Sequence, residues 1–337
     1  MKAVGYFEPL PIDQEASLVD IELPIPPLRP FDLLVRVQAV SVNPVDTKLR
    51  RGAKPAAGEP RILGFDAAGL VEAVGPHVTR FKPGDRVFYA GAIDRPGTNA
   101  ELHAVDERIA GRAPATLDDA EAAALPLTAI TAWELLFDRL RVGRGGGQGQ
   151  TLLVLGGAGG VGSILVQLAR RLTSLRVIAT ASREETRQWC LEMGAHDVID
   201  HSRPLRRQIE ELGLAYVDKV ASLTETDRHF AALVDITAPQ GQIALIDDPQ
   251  SLDATLLKRK SISLHWELMF TRTLFGTPDL AEQGRLLDEV AQLVDRGELR
   301  TTAGQSFGSI NAKNLRQAHA WIESGQARGK CVLAGFV

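Results

Sequence analysis

Alternating apolar and polar residues predict that the first third of the chain is rich in β-strands. The run Leu33-Leu34-Val35-Arg36-Val37-Gln38-Ala39-Val40 has the alternation of a strand, and segments 69–75 and 84–90 predict two more strands bounded by glycine turns. Four prolines between residues 24 and 30 predict a loop before the first of these strands. Residues 1 to about 125 are therefore expected to form a β-rich, turn-rich region.

The pattern changes near residue 117 and becomes an alternation of helices and strands. Helix-forming segments are expected at 118–125, 131–140, 184–193, 280–296 and 312–324, and short apolar strands at 151–155, 176–181, 197–200, 216–221 and 242–246. Such alternation favours an α/β fold built on a parallel, doubly wound sheet.

A glycine-rich turn follows the strand predicted at 151–155 and leads directly into an apolar helix. In this turn Gly156 suits a tight bend, Gly159 would let the backbone approach a pyrophosphate, and Gly162 would let the helix pack closely on the strand. Gly160 and Val161, at the start of the helix, complete the predicted dinucleotide-binding segment, whose N–H groups would face the phosphates. The alternative is a glycine-rich turn of another α/β sheet.

The residues after the next strand bear on which dinucleotide is bound. A carboxylate there would accept a hydrogen bond from a free ribose 2′-hydroxyl, but this strand ends in Ala181-Ser182-Arg183. Ser182 and Arg183 could bind a 2′-phosphate, and Arg187 follows one helical turn later. We therefore expect NADPH rather than NADH. Alternatively, Arg183 and Arg187 are solvated charges beside two glutamates.

Composition excludes several classes of protein. With 38 basic and 42 acidic residues the formal net charge is −4, which argues against a nucleic-acid-binding protein. We find no apolar run long enough to span a membrane, and we expect the first residues to open a strand rather than to form a signal peptide. Two cysteines in 337 residues supply neither a disulfide framework nor a cysteine metal site. The chain is expected to be cytoplasmic and to comprise about two domains.

Five motifs along the chain resemble the medium-chain dehydrogenase/reductase superfamily, nearest its quinone oxidoreductase-like branch. They are Val42–Lys48, Leu63–Gly69, Phe81–Val87, Leu127–Trp133 and Ala327–Leu333. Segment Glu267–Arg272 is also similar to a subgroup described as zinc-type alcohol dehydrogenase-like. The resemblance implies a discontinuous GroES-like catalytic domain, 1–125 with 270–337, and a Rossmann NADP-binding domain, 126–269.

The resemblance also implies where zinc ligands would be found. Zinc-bearing members of the superfamily have a cysteine at or next to the position of Asn43 and a Gly-His-Glu where this chain has Gly64-Phe65-Asp66. Phe65 cannot bind a metal, and the seven histidines show no ligand spacing. We therefore predict that no zinc is bound.

Without a Lewis acid, hydride transfer is better matched to a conjugated acceptor, where the developing charge spreads over an enolate or a hydroquinone anion. The most favoured reaction is NADPH-dependent reduction of a quinone or of the C=C bond of an α,β-unsaturated ketone. The alternatives are a protein of the same fold that binds NADPH with little catalysis, and a zinc-dependent alcohol dehydrogenase.

The resemblance suggests residues for this chemistry. Asn43 could donate to a substrate carbonyl, and Asp46 could orient its loop. Tyr89 is a possible proton donor on account of its position in the β-rich domain alone. Thr131 matches a family threonine near the cofactor carboxamide, and Lys330, in the closing segment, is a further candidate cofactor-binding residue. Structural alternatives are a turn former for Asn43, an N-cap for Asp46 and a buried helix hydroxyl for Thr131.

Segment 260–266 resembles the last strand of the Rossmann sheet, whose edge pairs across a two-fold axis in related proteins. We expect a homodimer formed through this strand, with a monomer as the alternative.

Overall fold

The computed structural model describes residues 1–336, which form two compact units. The first contains Met1–Ile130 and the residues from Phe270 onward, and the second contains Thr131–Met269. The first boundary lies five residues beyond the 125/126 position expected from the sequence, and it falls within a helix that runs from residue 126 to residue 133.

The strands, in chain order, are β1 (Lys2–Tyr6), β2 (Val19–Glu22), β3 (Asp32–Val42), β4 (Arg61–Ile62), β5 (Ala67–Val74), β6 (Arg86–Tyr89), β7 (Leu102–Asp106), β8 (Ala110–Arg112), β9 (Thr151–Leu155), β10 (Arg176–Thr180), β11 (Asp197–Ile199), β12 (Val217–Ser222), β13 (Thr237–Leu245), β14 (Ser263–Trp266), β15 (Ala303–Ser306) and β16 (Lys330–Ala334).

The α-helices are α1 (Pro44–Gly52), α2 (Asp119–Ala123), α3 (Pro126–Trp133), α4 (Gly160–Leu172), α5 (Glu184–Glu192), α6 (Leu205–Glu211), α7 (Thr226–Ile236), α8 (Thr271–Phe275), α9 (Glu282–Asp295) and α10 (Ala312–Glu323).

The first unit is built on a seven-stranded sheet with the order β15-β16-β3-β5-β6-β8, in which β7 also pairs with β3. A smaller sheet has the order β2-β1-β4. Strand β3 lies in the middle of this sheet, between β16 and β5. Its apolar residues, among them Leu33, Val35 and Val37, are buried. Strand β16 pairs antiparallel with β3, so residues near the end of the chain lie beside residues 39–42.

The second unit is a parallel sheet with the order β11-β10-β9-β12-β13-β14 and helices in the connections. All five residues of the central strand β9 are buried, as expected for a parallel strand covered on both faces. This architecture confirms the doubly wound α/β fold predicted from the alternating pattern.

Two segments of the second unit differ from the expected elements. Helix α3 does not continue in α-helical form to residue 140, since Glu134–Arg139 form a π-helix. The last strand begins at Ser263 rather than at Lys260, whose Nζ instead donates to the carbonyls of Val234, Asp235 and Thr237 at the end of α7. These carbonyls have no partners within the helix, and Lys260 satisfies them.

One helical stretch, Asp119–Arg139, is long and apolar enough to cross a membrane by length and composition alone. Of its most apolar 18-residue window, 78% is buried inside the protein, as in the core helix of a folded domain.

Candidate active site

The glycine turn of the second unit joins β9 to α4. Gly156 has a φ of 81°, the left-handed conformation that glycine adopts without strain. Its N–H donates to Oγ1 of Thr180 on the neighbouring strand β10, over 3.1 Å. Gly159 then occupies the N-cap position of α4, and its own N–H donates to the carbonyl of Gly156. The conformation of the turn is therefore stabilised by a hydrogen bond within its own backbone and by a second one to the side chain of Thr180.

The turn glycines differ in the space around them. A Cβ on Gly162 would lie 2.4 Å from the Gly156 carbonyl oxygen and 2.7 Å from backbone atoms of Gly157, so close packing requires glycine there. A Cβ on Gly159 would have only the Gly156 oxygen within 4 Å, at 3.5 Å. Gly160 and Val161, at the start of α4, are both partly exposed. A helix N-terminus behind an open glycine backbone fits the pyrophosphate of a dinucleotide.

The tip of β10 bears the residues predicted to select the cofactor. Ser182 and Arg183 are exposed, and Arg183 lies at the N-cap position of α5. No carboxylate stands between Thr180 and Arg183, so no side chain there matches the usual acceptor for a ribose 2′-hydroxyl.

Arg187 does not share the position expected for it. It is partly buried, and its Nη1 donates over 3.0 Å to the carbonyl of Val198 on the edge strand β11, while its Nε lies 3.7 Å from Glu184. The guanidinium thus covers an unpaired carbonyl of the sheet edge. This contact argues against the expectation that Arg187 joins Arg183 in binding a phosphate.

His201 is a residue that the sequence reasoning missed. Its Nδ1 lies 3.1 Å from Oγ1 of Thr180, the same oxygen that accepts the N–H of Gly156. Burial lowers the pKa of His201, so its ring is neutral near neutral pH. In the tautomer in which Nδ1 accepts the Thr180 proton, Nε2 carries the N–H of the ring. The sequence signal was its position two residues after β11.

In the first unit, four polar residues form what we call the buried polar cluster: Asn43, Asp46, Asp66 and Lys330. Lys330 Nζ lies 2.8 Å from Oδ2 of Asp66, 3.2 Å from the carbonyl of Val42, and donates to Oδ1 of Asn43. Asn43 Nδ2 donates to the same carboxylate oxygen of Asp66 over 2.8 Å. All four residues are at most 3% exposed.

Asp46 connects this cluster to the start of α1. Its Oδ2 accepts the backbone N–H of Asn43 over 2.7 Å, and its Oδ1 accepts the N–H of Gly64 over 2.8 Å. Asn43 and Asp46 form a capping box, the arrangement that supplies partners for the first N–H groups of a helix. Burial is the largest influence on Asp46 and raises its pKa to about 7.

The contacts of Asn43 and Lys330 bear directly on their predicted roles. The Asn43 amide donates to Asp66 and to the carbonyl of Ser41, and it accepts from Lys330, so both its N–H groups are already directed at acceptors within the protein. Lys330 has three N–H donors and three acceptors within reach, which leaves none for a cofactor. Both side chains are therefore hydrogen-bonded to other groups of the first unit.

Tyr89 is also misplaced for the proton-donor role considered from the sequence. It is fully buried in the core of the first unit, and its hydroxyl lies 3.1 Å from Nδ1 of His103. Burial raises the pKa of the phenol well above its usual value and lowers the pKa of His103 to about 4. This pair is a neutral, internally satisfied contact of the core.

Thr131, the residue that matches the family threonine near the cofactor carboxamide, lies in α3 and is 5% exposed.

The donor set of the first unit does not fit zinc. Phe65 packs edge-to-face on Phe270, with ring centroids 5.3 Å apart, and offers no ligand atom. The carboxylate of Asp66 is already paired with an ammonium group. Within residues 1–336, no group of three or more His, Cys, Asp or Glu side chains is arranged to hold a metal ion.

Family models match both parts of the chain. Residues 29–115 match the alcohol dehydrogenase GroES-like domain, and residues 193–333 match a family described as zinc-binding dehydrogenase. A zinc-type alcohol dehydrogenase-like protein of Staphylococcus aureus is 40% identical over 338 residues, covering 99% of both chains. The chain belongs to the medium-chain dehydrogenase/reductase superfamily. A quinone oxidoreductase of Pseudomonas aeruginosa is 32% identical over 90% of this chain and 91% of its own.

Solved structures of the superfamily show the same architecture. A Rhizobium etli protein provisionally named a zinc-dependent alcohol dehydrogenase is 60% identical, with a TM-score of 0.96 over 100% of this chain and 98% of its own. Escherichia coli quinone oxidoreductase, solved with NADPH, has a TM-score of 0.83 at 24% identity over 99% of this chain and 100% of its own, which establishes a shared fold. These findings confirm the resemblance seen in the sequence and identify the chain as an oxidoreductase of a nicotinamide-dependent superfamily.

Proposed function

We propose that this member of the superfamily is an NADPH-dependent reductase of quinones, or of the C=C bond of α,β-unsaturated ketones, and that it works without zinc. The observation that carries the proposal is the pairing of Lys330 with Asp66. It leaves the buried polar cluster with an ammonium group where a metal enzyme would need free ligands. A conjugated acceptor does not require a Lewis acid, because its developing charge is delocalised.

The second unit supplies the cofactor site of this proposal. When bound, reduced nicotinamide would supply a hydride to the acceptor. The N-terminus of α4, exposed at Gly159 and Gly160, would hold the pyrophosphate, and the fixed φ of Gly156 keeps that backbone in place. Solvent would complete the reduction by supplying the proton.

NADPH is favoured over NADH by the side chains at the tip of β10. Arg183 is exposed there beside Ser182, and both can bind a phosphate, whereas no carboxylate between Thr180 and Arg183 is placed to accept a ribose 2′-hydroxyl. The His201 ring lies beside the end of the same strand, with Nδ1 3.1 Å from Oγ1 of Thr180. Arg187 is left out of this proposal, since it covers the edge of the sheet.

Assembly and location are further parts of the proposal. Among residues 1–336, strand β14 pairs with β13 alone, so its other edge is open, and Trp266 at its end is 55% exposed. An open edge with an apolar side chain favours pairing with a second copy of the chain, giving a homodimer. Cys190 and Cys331 are buried free thiols, which suits the reducing cytoplasm.

One observation favours the alternative of a cofactor-binding protein with little catalysis. The three side chains that the sequence predicts to be catalytic are all buried and hydrogen-bonded to other groups of the protein. They are Asn43, Asp46 and Tyr89. A sensor or structural protein would need only the glycine turn.

Steady-state kinetics of the purified chain separate these proposals. We expect sustained NADPH oxidation with 1,2-naphthoquinone, 9,10-phenanthrenequinone or a simple enone, a lower KM for NADPH than for NADH, and no loss of rate after dialysis against a chelator. Saturable NADPH binding without turnover on this panel would favour the binding protein. One zinc ion per chain after purification without added metal would contradict the metal-free mechanism.

A further inference from the structure

Lys330 is an unusual lysine because its charged group is buried. The residue is 3% exposed, and its Nζ contacts Asp66, Asn43 and the carbonyl of Val42. Burying an ammonium group costs several kcal/mol unless it is paired and fully hydrogen-bonded, and lysines are rarely buried for that reason. Here each of the three protons has an oxygen acceptor.

The surroundings of Lys330 are acidic. Asp66 and Asp46 are both fully buried, and Lys330 is the cation acting on each of them. Asp66 Oδ2 takes the hydrogen bonds from Lys330 and Asn43, and the neighbouring oxygen Oδ1 accepts the N–H of Leu127 over 2.7 Å. Without Lys330, this carboxylate would be a buried charge with neutral donors only.

The cluster also fixes two helix starts in the first unit. Leu127 is the second residue of α3, and Asn43 is the N-cap of α1. The ammonium group therefore holds Asn43 and Asp66 together, and through them it holds the first turns of α1 and α3. A bound cation coordinated by the same oxygen atoms would have the same effect.

We propose that Lys330 is an internal cation that replaces a metal ion in this cluster, acting as a positioning residue that fixes Asn43 and Asp66. The inference rests on the metal-free part of the proposed function and extends it. It explains how a chain whose relatives are named for zinc keeps two buried carboxylates in place with no metal donor set among its described residues. Position 330 therefore requires a positive charge, and a neutral side chain of similar volume does not replace it.

Chemical rescue tests this role. Lys330→Ala removes the ammonium and leaves space for a small cation, whereas Lys330→Met removes the charge and fills the space. We expect both variants to lose roughly tenfold or more in kcat with quinone, the size of one charge-assisted contact. Methylammonium or ethylammonium should restore activity and raise the Tm of the alanine variant alone. Ethanol, a neutral molecule of similar size, should do neither.

A double variant provides an independent measurement. Replacing Asp66 with Asn removes the charge that needs a cation, so Asp66→Asn with Lys330→Met should be more stable than Lys330→Met alone. The inference is wrong if Lys330→Met matches the wild type in Tm and kcat, if ethanol rescues as well as ethylammonium, or if the double variant shows no coupling.

The thermal readout keeps the two proposals apart. Amine-dependent stabilisation of the alanine variant needs no substrate, so it supports the internal cation even if no turnover is found with quinones or enones. If Lys330→Ala cannot be purified, Lys330→Arg and the double variant give the result. Retained stability in Lys330→Arg and coupling in the double variant support the inference, and their absence overturns it.

Discussion

The backbone N–H of Gly156 donates to the hydroxyl of Thr180 over 3.1 Å, which ties the first glycine of the nucleotide turn to the neighbouring strand. Thr180 is 1% exposed and lies at the end of β10. The conformation of the turn thus depends on a side chain 24 residues further along the chain.

Thr180→Val should weaken dinucleotide binding. Valine has nearly the same shape but leaves the N–H of Gly156 without a partner, at a cost of about 1 kcal/mol, or about fivefold in Kd. Fluorescence titration with NADPH measures the change. The matched control is Thr237→Val, in which an equally buried threonine loses a bond to Leu233 at the end of α7. Equal Kd changes in both variants would contradict a specific role for Thr180.

Replacing two glycines of the turn with alanine, one at a time, should affect different properties: one substitution should lower the Tm, and the other should weaken dinucleotide binding. Gly162→Ala places a Cβ 2.4 Å from a backbone oxygen, so we expect a loss of several degrees or more in Tm. Gly159→Ala meets only one atom at 3.5 Å and should leave Tm unchanged, while raising the Kd for NADPH about tenfold by blocking the pyrophosphate. Thermal unfolding and titration of both variants check this, and the reverse pattern would refute the assignment of the turn.

Arg183→Gln should reduce the preference for NADPH. Losing one charge-assisted contact to the 2′-phosphate should raise KM for NADPH about tenfold and leave KM for NADH unchanged. Arg207→Gln is the control, since Arg207 is an exposed arginine on α6 paired with Glu211. If KM for both cofactors changes equally, Arg183 does not contact the phosphate.

The raised pKa of Asp46 predicts a specific pH dependence of stability. Because its pKa is about 7 in the folded chain and about 4 when unfolded, the folded state binds the extra proton between these values. The free energy of unfolding should therefore decrease as pH rises from about 4 to about 7, by about 4 kcal/mol from this group. Urea unfolding across this range measures the slope.

Asp46→Asn is the control for that slope. The variant should be less stable overall, because an amide cannot accept both the Asn43 and Gly64 N–H groups, and its stability should vary less with pH. An unchanged slope would show that other groups cause the pH dependence.

Tyr89→Phe should lower stability without affecting catalysis. Removing the phenol leaves Nδ1 of His103 without its partner, which should cost about 1 kcal/mol in unfolding free energy. Because Tyr89 is buried, kcat and its pH profile should not change. Tyr6→Phe is a matched control, since the Tyr6 hydroxyl bonds only to the carbonyls of Leu49 and Ala53. A selective fall in kcat for Tyr89→Phe would restore Tyr89 as a proton donor.

The sequence predicted the features that depend on neighbouring residues. The glycine turn could be located because a strand, a turn and a helix follow each other within about 20 residues, and each glycine has a local steric reason. The alternating strands of the second unit were found for the same reason, and their parallel pairing follows from the connecting helices.

The contacts that the sequence did not predict join distant residues. Asn43 and Lys330 are 287 residues apart, and their hydrogen bond depends on β16 pairing with β3. Likewise, the bond from Arg187 to Val198 exists because β11 lies at the edge of the sheet, which strand order alone decides. Residue type alone therefore did not show which of the predicted side chains are already hydrogen-bonded to other groups of the protein, as Asn43, Lys330 and Arg187 are.

The pairing of β16 with β3 also bears on how the chain matures on the ribosome. Asp66 emerges 264 residues before the lysine that balances its charge, and the intervening Thr131–Met269 segment forms a separate compact unit. The second unit can therefore fold during synthesis, while the first stays incomplete until its final strand is released. Truncated products of translation would lack both this strand and the ammonium group beside Asp66, so we expect them to expose the unpaired edge of β3 and to aggregate.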